Sequence, residues 1–135
     1  MYALRTYPKI LRGKTLYFAS SDFTGTTSAG IPTGHISGYL YKNTPWHIKQ
    51  KLIIPDPVNN LTDYEQKQEI IALLSLQQKN IRQIAFASAV EIIMFFDYIK
   101  ENKEKFVELV RATGNDKRAK ELEKIEPFIP IKIWP

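Results

Sequence analysis

The sequence predicts an α+β fold, a small antiparallel or mixed β-sheet drawn from the N-terminal half plus a C-terminal strand and packed on two to three helices. Two observations carry this expectation. Residues 1–55 are rich in β-branched and aromatic side chains broken by Gly, Pro and Asn, the pattern of short strands and turns. Residues 62–126 are rich in Glu, Lys, Leu, Ala and Gln, which are helix formers. Strand formers first and helix formers second argue against an alternating α/β chain. At 135 residues, one domain spanning 1–135 is expected, and 44% hydrophobic residues with a mean hydropathy of −0.27 place it among globular proteins.

In order along the chain, Tyr2–Tyr7 and Lys14–Ala19 read as strands, with Arg12-Gly13 at the turn between them. Residues 20–34 form a polar loop of small residues containing Gly25, Gly30 and Pro32. His35–Tyr41 and Trp46–Ile54 read as a hairpin joined by Lys42-Asn43-Thr44-Pro45, and Pro55-Asp56-Pro57 ends the β region because proline cannot donate to a ladder. Thr62 and Glu65 form a capping box that starts a helix running to about Gln78 with an apolar face from Ile70 to Leu76.

Ile81–Ala87 fits a buried strand, and Ser88 with Glu91 forms a second capping box opening a helix from Ala89. Apolar on most sides, that helix is expected at the centre of the core, with Ile92, Ile93, Phe95, Phe96, Leu73 and Leu74 as core residues. Asn102 caps a further helix over Lys103–Ala112 that ends at Thr113-Gly114-Asn115, and Asp116–Ile125 is a short charged segment exposed on one side. In the tail, Ile129, Ile131 and Ile133 alternate with Pro130, Lys132 and Trp134, so Phe128–Trp134 reads as an edge strand or as a strand that docks on a protein partner or a second copy.

Composition excludes several classes. No stretch reaches the ~20 apolar residues that a bilayer demands, and residues 1–11 lack the apolar core of a secretory signal. With no cysteine there are no disulfides and no thiolate metal sites. A cytoplasmic protein with no membrane partner is expected, in which the sequon Asn60-Leu61-Thr62 is idle. The Lys- and Ile-heavy composition fits an AT-rich genome, viral or thermophilic.

Net charge is +5, and its distribution is uneven: residues 1–55 carry +6 and residues 56–135 carry −1. An excess of positive charge beside aromatic residues suits a polyanion, since rings can stack on unpaired bases while lysines neutralise phosphates. The expected function is therefore a non-enzymatic nucleic-acid-binding module using the 20–34 loop and Arg5, Lys9, Arg12, Lys14, Tyr39, Tyr41, Lys42, His47, Lys49 and Lys51. Whether the tyrosines and lysines share a face depends on one residue of hairpin register, which the sequence leaves open. The alternative is a protein-interaction or inhibitor module docking through Phe128–Trp134 or the hairpin edge.

Enzymatic motifs are scarce. The 20–34 loop matches neither G-x-x-x-x-G-K-[ST] nor G-x-G-x-x-G, so no cofactor is implied. His35-Ile36-Ser37 is similar to the H-x-S/T element of 2H-type phosphoesterases, but His47 is followed by Ile48-Lys49 and the required second element is missing. A His-dependent hydrolase or transferase is the least favoured reading, and no metal-ligand spacing such as H-E-x-x-H occurs.

Overall fold

The computed structural model describes residues 12–21, 23–86 and 88–125, together with Thr6 and Pro8. Among them the chain is α+β, with two two-stranded sheets and seven helices. β1 (Lys14–Tyr17) pairs with β4 (Ile81–Ala85) in parallel, Leu16 lying opposite Ile84 and Tyr17 opposite Ala85. β2 (Gly25–Thr26) and β3 (Pro32–Thr33) make a short antiparallel ribbon within the polar 20–34 segment. The helices are α1 (Ile36–Lys42), α2 (Trp46–Lys49), α3 (Asp56–Asn59), α4 (Tyr64–Gln77), α5 (Ala89–Glu101), α6 (Lys103–Ala112) and α7 (Asp116–Glu123).

The largest departure from expectation lies at 35–54, where the hairpin is replaced by α1 and α2. Here α1 turns Gly38 and Tyr41 inward, while Ile36, Tyr39 and Leu40 face solvent. The Tyr41 hydroxyl donates to the Ile54 carbonyl at 2.6 Å and its ring stacks near-parallel to that of Tyr17 at 6.2 Å, so one tyrosine fixes the helix against β1. Pro45, extended at φ −55° and ψ 144°, leads into α2, and Pro57 sits in the first turn of α3, where its missing N–H costs nothing. The strand expected at Tyr2–Tyr7 falls, except for Thr6, outside the described residues, as does the C-terminal strand Phe128–Trp134.

The C-terminal half follows the sequence more closely. α4 starts one residue later than expected: Asp63, not Thr62, is the cap, its carboxylate accepting from the Gln66 N–H at 3.1 Å. Ser88 caps α5 as expected, accepting from the Glu91 N–H at 3.3 Å. Asn102 precedes α6 without capping it, because its side-chain amide donates backward to the Tyr98 carbonyl at 2.9 Å. Gly114, at φ +83°, takes the left-handed conformation that follows α6.

The core joins Leu16 of β1 and Ile81 of β4 to Ile54, to Ile71, Ala72 and Leu76 of α4, to Phe95 and Ile99 of α5, and to apolar residues of α6 and α7. Phe95 is buried and Leu73 and Phe96 pack against the core, but Ile93 is 61% exposed. α5 is thus not central. It buries Phe95 and Ile99 and presents Val90, Ile93 and Met94 to solvent. α7, expected to be exposed on one side, buries Arg118, Ala119 and Leu122 on the other.

The start of β1 is sterically closed. A Cβ built on Gly13 would lie 2.9 Å from the Asn80 carbonyl oxygen, which already accepts from the Lys14 N–H at 2.7 Å and so cannot retreat without lengthening that bond. Gly13→Ala is expected to destabilise the protein by about 1–3 kcal/mol, as overpacking does, without altering the secondary-structure spectrum. An unchanged denaturation midpoint would refute this account of the β1–β4 junction.

Candidate functional site

In open parallel sheets, ligands settle outside the carboxyl ends of the strands, where the chain leaves the sheet and backbone groups are uncommitted. The pair β1/β4 follows that rule. After β1 the chain continues through Phe18, Ala19 and Ser20, and after β4 through Phe86; the Phe18 N–H still donates to the Ala85 carbonyl at 3.0 Å. Both exits open on one cavity of about 130 Å³.

Its floor is aromatic. The Phe18 and Phe86 rings stack with centroids 3.7 Å apart, and Phe95 meets Phe18 edge-on at 4.8 Å. One wall is a single face of α4, on which Tyr64, Lys67, Gln68 and Ile71 follow helical spacing. Ser20 and Glu91, the latter in the first turn of α5, complete the polar side.

Lys67 is the cation of this cavity. Its ammonium donates to the Ala19 carbonyl at 2.9 Å and to the Asn59 carbonyl at 2.8 Å. An ammonium carries three donors, so among the described residues one is left after these bonds. Burial holds its pKa below the ordinary lysine value, because removing the ammonium from water disfavours the charged form. Beyond Ala19 and Ser20 lies a second cavity of about 240 Å³, lined also by Tyr41, Asp56 and Asn59. Burial also raises the pKa of Tyr41, with a smaller contribution from the Asp56 carboxylate.

Of the ten residues assigned from sequence to a nucleic-acid surface, the eight described ones are spread over β1, α1, α2 and the segments beside them. Arg5 and Lys9 lie outside the described residues. Lys14 donates to the Gln50 carbonyl at 2.9 Å. Lys49 is bound to Asp56 at 3.2 Å and lies 5.0 Å from the Tyr41 ring centroid. Tyr41 is buried, whereas Tyr39 faces solvent on α1, Lys42 ends that helix, and His47 is on α2 beside the Trp46 ring. Arg12 is exposed ahead of β1, and Lys51 is half-buried after α2. With helices in place of the hairpin expected at 35–54, the strand platform and hairpin edge expected there are not formed.

His35 and His47 are both exposed, the first preceding α1 and the second within α2. Among the described residues no group of His, Asp and Glu could hold a metal ion. Nor is any described helix long and apolar enough to cross a membrane.

A family model described as GH3 family N-terminal domain matches residues 1–127. No curated protein matches the chain. The family match takes in all ten of those residues and assigns them to a domain of a known family, which overturns the reading as a nucleic-acid-binding or interaction module and, with it, the expectation of a viral protein. Lys67, Phe18, Phe86 and Asn59 were missed from sequence. The signal that could have found them was the strand at 81–87 together with the Ser88 capping box, had its parallel partner been known.

Proposed function

Because this chain belongs to the GH3 family N-terminal domain, we propose that it contributes to that domain a binding pocket for a small, largely apolar molecule bearing a carboxylate. One observation carries the reading: an aromatic-floored cavity at the carboxyl ends of β1 and β4 has the Lys67 ammonium in its wall. A cavity of about 130 Å³ suits a body the size of one ring, since an apolar cavity of ~150 Å³ is known to hold benzene. Phe18, Phe86, Phe95 and Ile71 would cover the apolar body, and Lys67 would meet the anionic group with its remaining donor.

The test is a titration of the chain with benzoate, hexanoate, benzyl alcohol and glucose. Benzoate and hexanoate are expected to bind, and benzyl alcohol, which keeps the ring but lacks the charge, about tenfold more weakly. Lys67→Met is expected to weaken benzoate about tenfold, the loss of one charge-assisted hydrogen bond of about 1.5 kcal/mol. Glucose binding better than benzoate, or benzoate binding indifferent to Lys67→Met, would reject the reading.

Alkaline pH supplies an independent check. Only the protonated ammonium attracts a carboxylate, and burial lowers the Lys67 pKa. Benzoate affinity should therefore be full near neutrality and decline as pH rises, starting below the range in which an ordinary lysine titrates. Folding has the opposite sign: in the window between the folded and unfolded values the unfolded chain binds more protons, so Lys67's contribution to stability rises with pH.

A further inference from the structure

The two strands of the parallel pair differ on their outer sides. That of β1 is taken: the Thr15 N–H donates to the Lys51 carbonyl at 2.8 Å, and the Thr15 carbonyl accepts from the Ile53 N–H at 3.0 Å. On β4, Ala85 faces β1, since its carbonyl accepts from the Phe18 N–H, and backbone groups alternate sides along a strand, so those of Ile84 and Phe86 point outward. Among the described residues nothing bonds to them there. Both residues are half-buried, and their unpaired donors and acceptors are a template for a further strand.

The chain itself leads back to that edge. A parallel neighbour requires a crossover of a dozen or more residues, usually helical, and α5, α6 and α7 follow β4 in that manner. α7 lies where β4 begins: Arg118 donates to the Gln78 carbonyl at 3.2 Å, Glu121 pairs with Lys79 at 2.6 Å, and just past the helix the Ile125 carbonyl accepts from Lys103 at 3.2 Å. A strand entered after Ile125 therefore starts at the N-terminal end of β4 and runs in its direction.

The sequence beyond Ile125 suits that place. Ile129, Ile131 and Ile133 recur with period two and are β-branched. Pro130 falls in the alternate set and has no N–H to give, so it belongs on the side turned away from β4, as on an edge strand. We propose that Phe128–Trp134 docks on the outer edge of β4 as a third, parallel strand, with the backbone groups of Ile129, Ile131 and Ile133 turned toward Ile84 and Phe86.

NMR on the full chain tests this. Expected are NOEs joining Ile84 to Ile129 and Ile131 in the parallel sense, and Ile84 and Phe86 amide protons that exchange at least about tenfold more slowly than those of an open strand. Parity supplies a second arm: Ile131→Pro removes an N–H that faces β4 and should abolish the protection, whereas Lys132→Pro, in the same set as Pro130, should leave it within about threefold. Open-strand exchange in the full chain, protection that grows with protein concentration and so comes from a second copy, or equal effects of the two proline variants would each overturn the proposal. The NOEs need no variant, so the proposal stays open to refutation even where Ile131→Pro fails to fold.

Discussion

Phe95→Ala is expected to lower stability by about 3–5 kcal/mol, the cost of truncating a fully buried ring in a core that cannot collapse around the space. Phe95 is 2% exposed and is the only residue of α5 whose ring reaches both strand exits: it meets Phe18 edge-on at 4.8 Å and Phe86 at 5.8 Å, and also packs on Phe96 at 5.8 Å. Its loss removes aromatic pairing beyond area burial and leaves the Phe18–Phe86 stack unsupported from below. For a domain of ordinary stability this is a large fraction of the total. Urea denaturation should show a midpoint reduced in proportion, and a loss under 1 kcal/mol would mean that α5 is not anchored by this ring. Phe95→Leu, which keeps most of the volume, should recover more than half of the loss.

Arg118→Met is expected to cost about 3 kcal/mol, although it replaces a charge with an apolar side chain of similar length. The guanidinium is buried on α7 and serves the end of a different helix: Nε donates to the Leu76 carbonyl at 2.8 Å, Nη2 to the Gln78 carbonyl at 3.2 Å, and Nη1 lies 3.4 Å from Glu121. Helices end with carbonyls that have no partner inside the helix, and here α4 is terminated by an arginine rather than by its own sequence. Methionine would fill the space but leave two carbonyls short of donors, at roughly 1–3 kcal/mol each. Lysine, a point charge with no planar fork, should restore less than half. If Arg118→Met and the parent chain share a melting temperature, water satisfies those carbonyls and the clamp carries no weight.

The helical half was legible because its signals are local. Ser88 with Glu91, and the Asp63 and Gln66 pair one residue from the box expected at Thr62, are read within one turn, and Gly114 marks the end of α6 by backbone preference alone. Residues 35–54 misled because their pattern is inverted: α1 hides Gly38 and shows Ile36 and Leu40, so counting apolar residues points to the wrong face and the wrong period. The same inversion on α5, where Val90 and Met94 face solvent, defeated the expectation of a central helix. The candidate site was illegible for a different reason. It depends on β1 meeting β4 in parallel across the residues between positions 17 and 81, and no local rule announces so distant a pairing. Lys67 then reads as one lysine of an exposed helical face until the carbonyls of Ala19 and Asn59 come to lie beside it.

The Arg118 clamp also has a dynamic consequence. Together with the ion pairs of Lys79 to Glu121 at 2.6 Å and Lys105 to Glu69 at 2.5 Å, it links α4, α6 and α7, which are expected to open as one unit. Amide protons of these helices should exchange at one common, slow rate, while those of the solvent-facing β2–β3 ribbon, tied chiefly to itself, exchange through fluctuations that leave the block intact. Motion of the ribbon is thereby expected to leave undisturbed the wall that carries the lysine of the aromatic pocket.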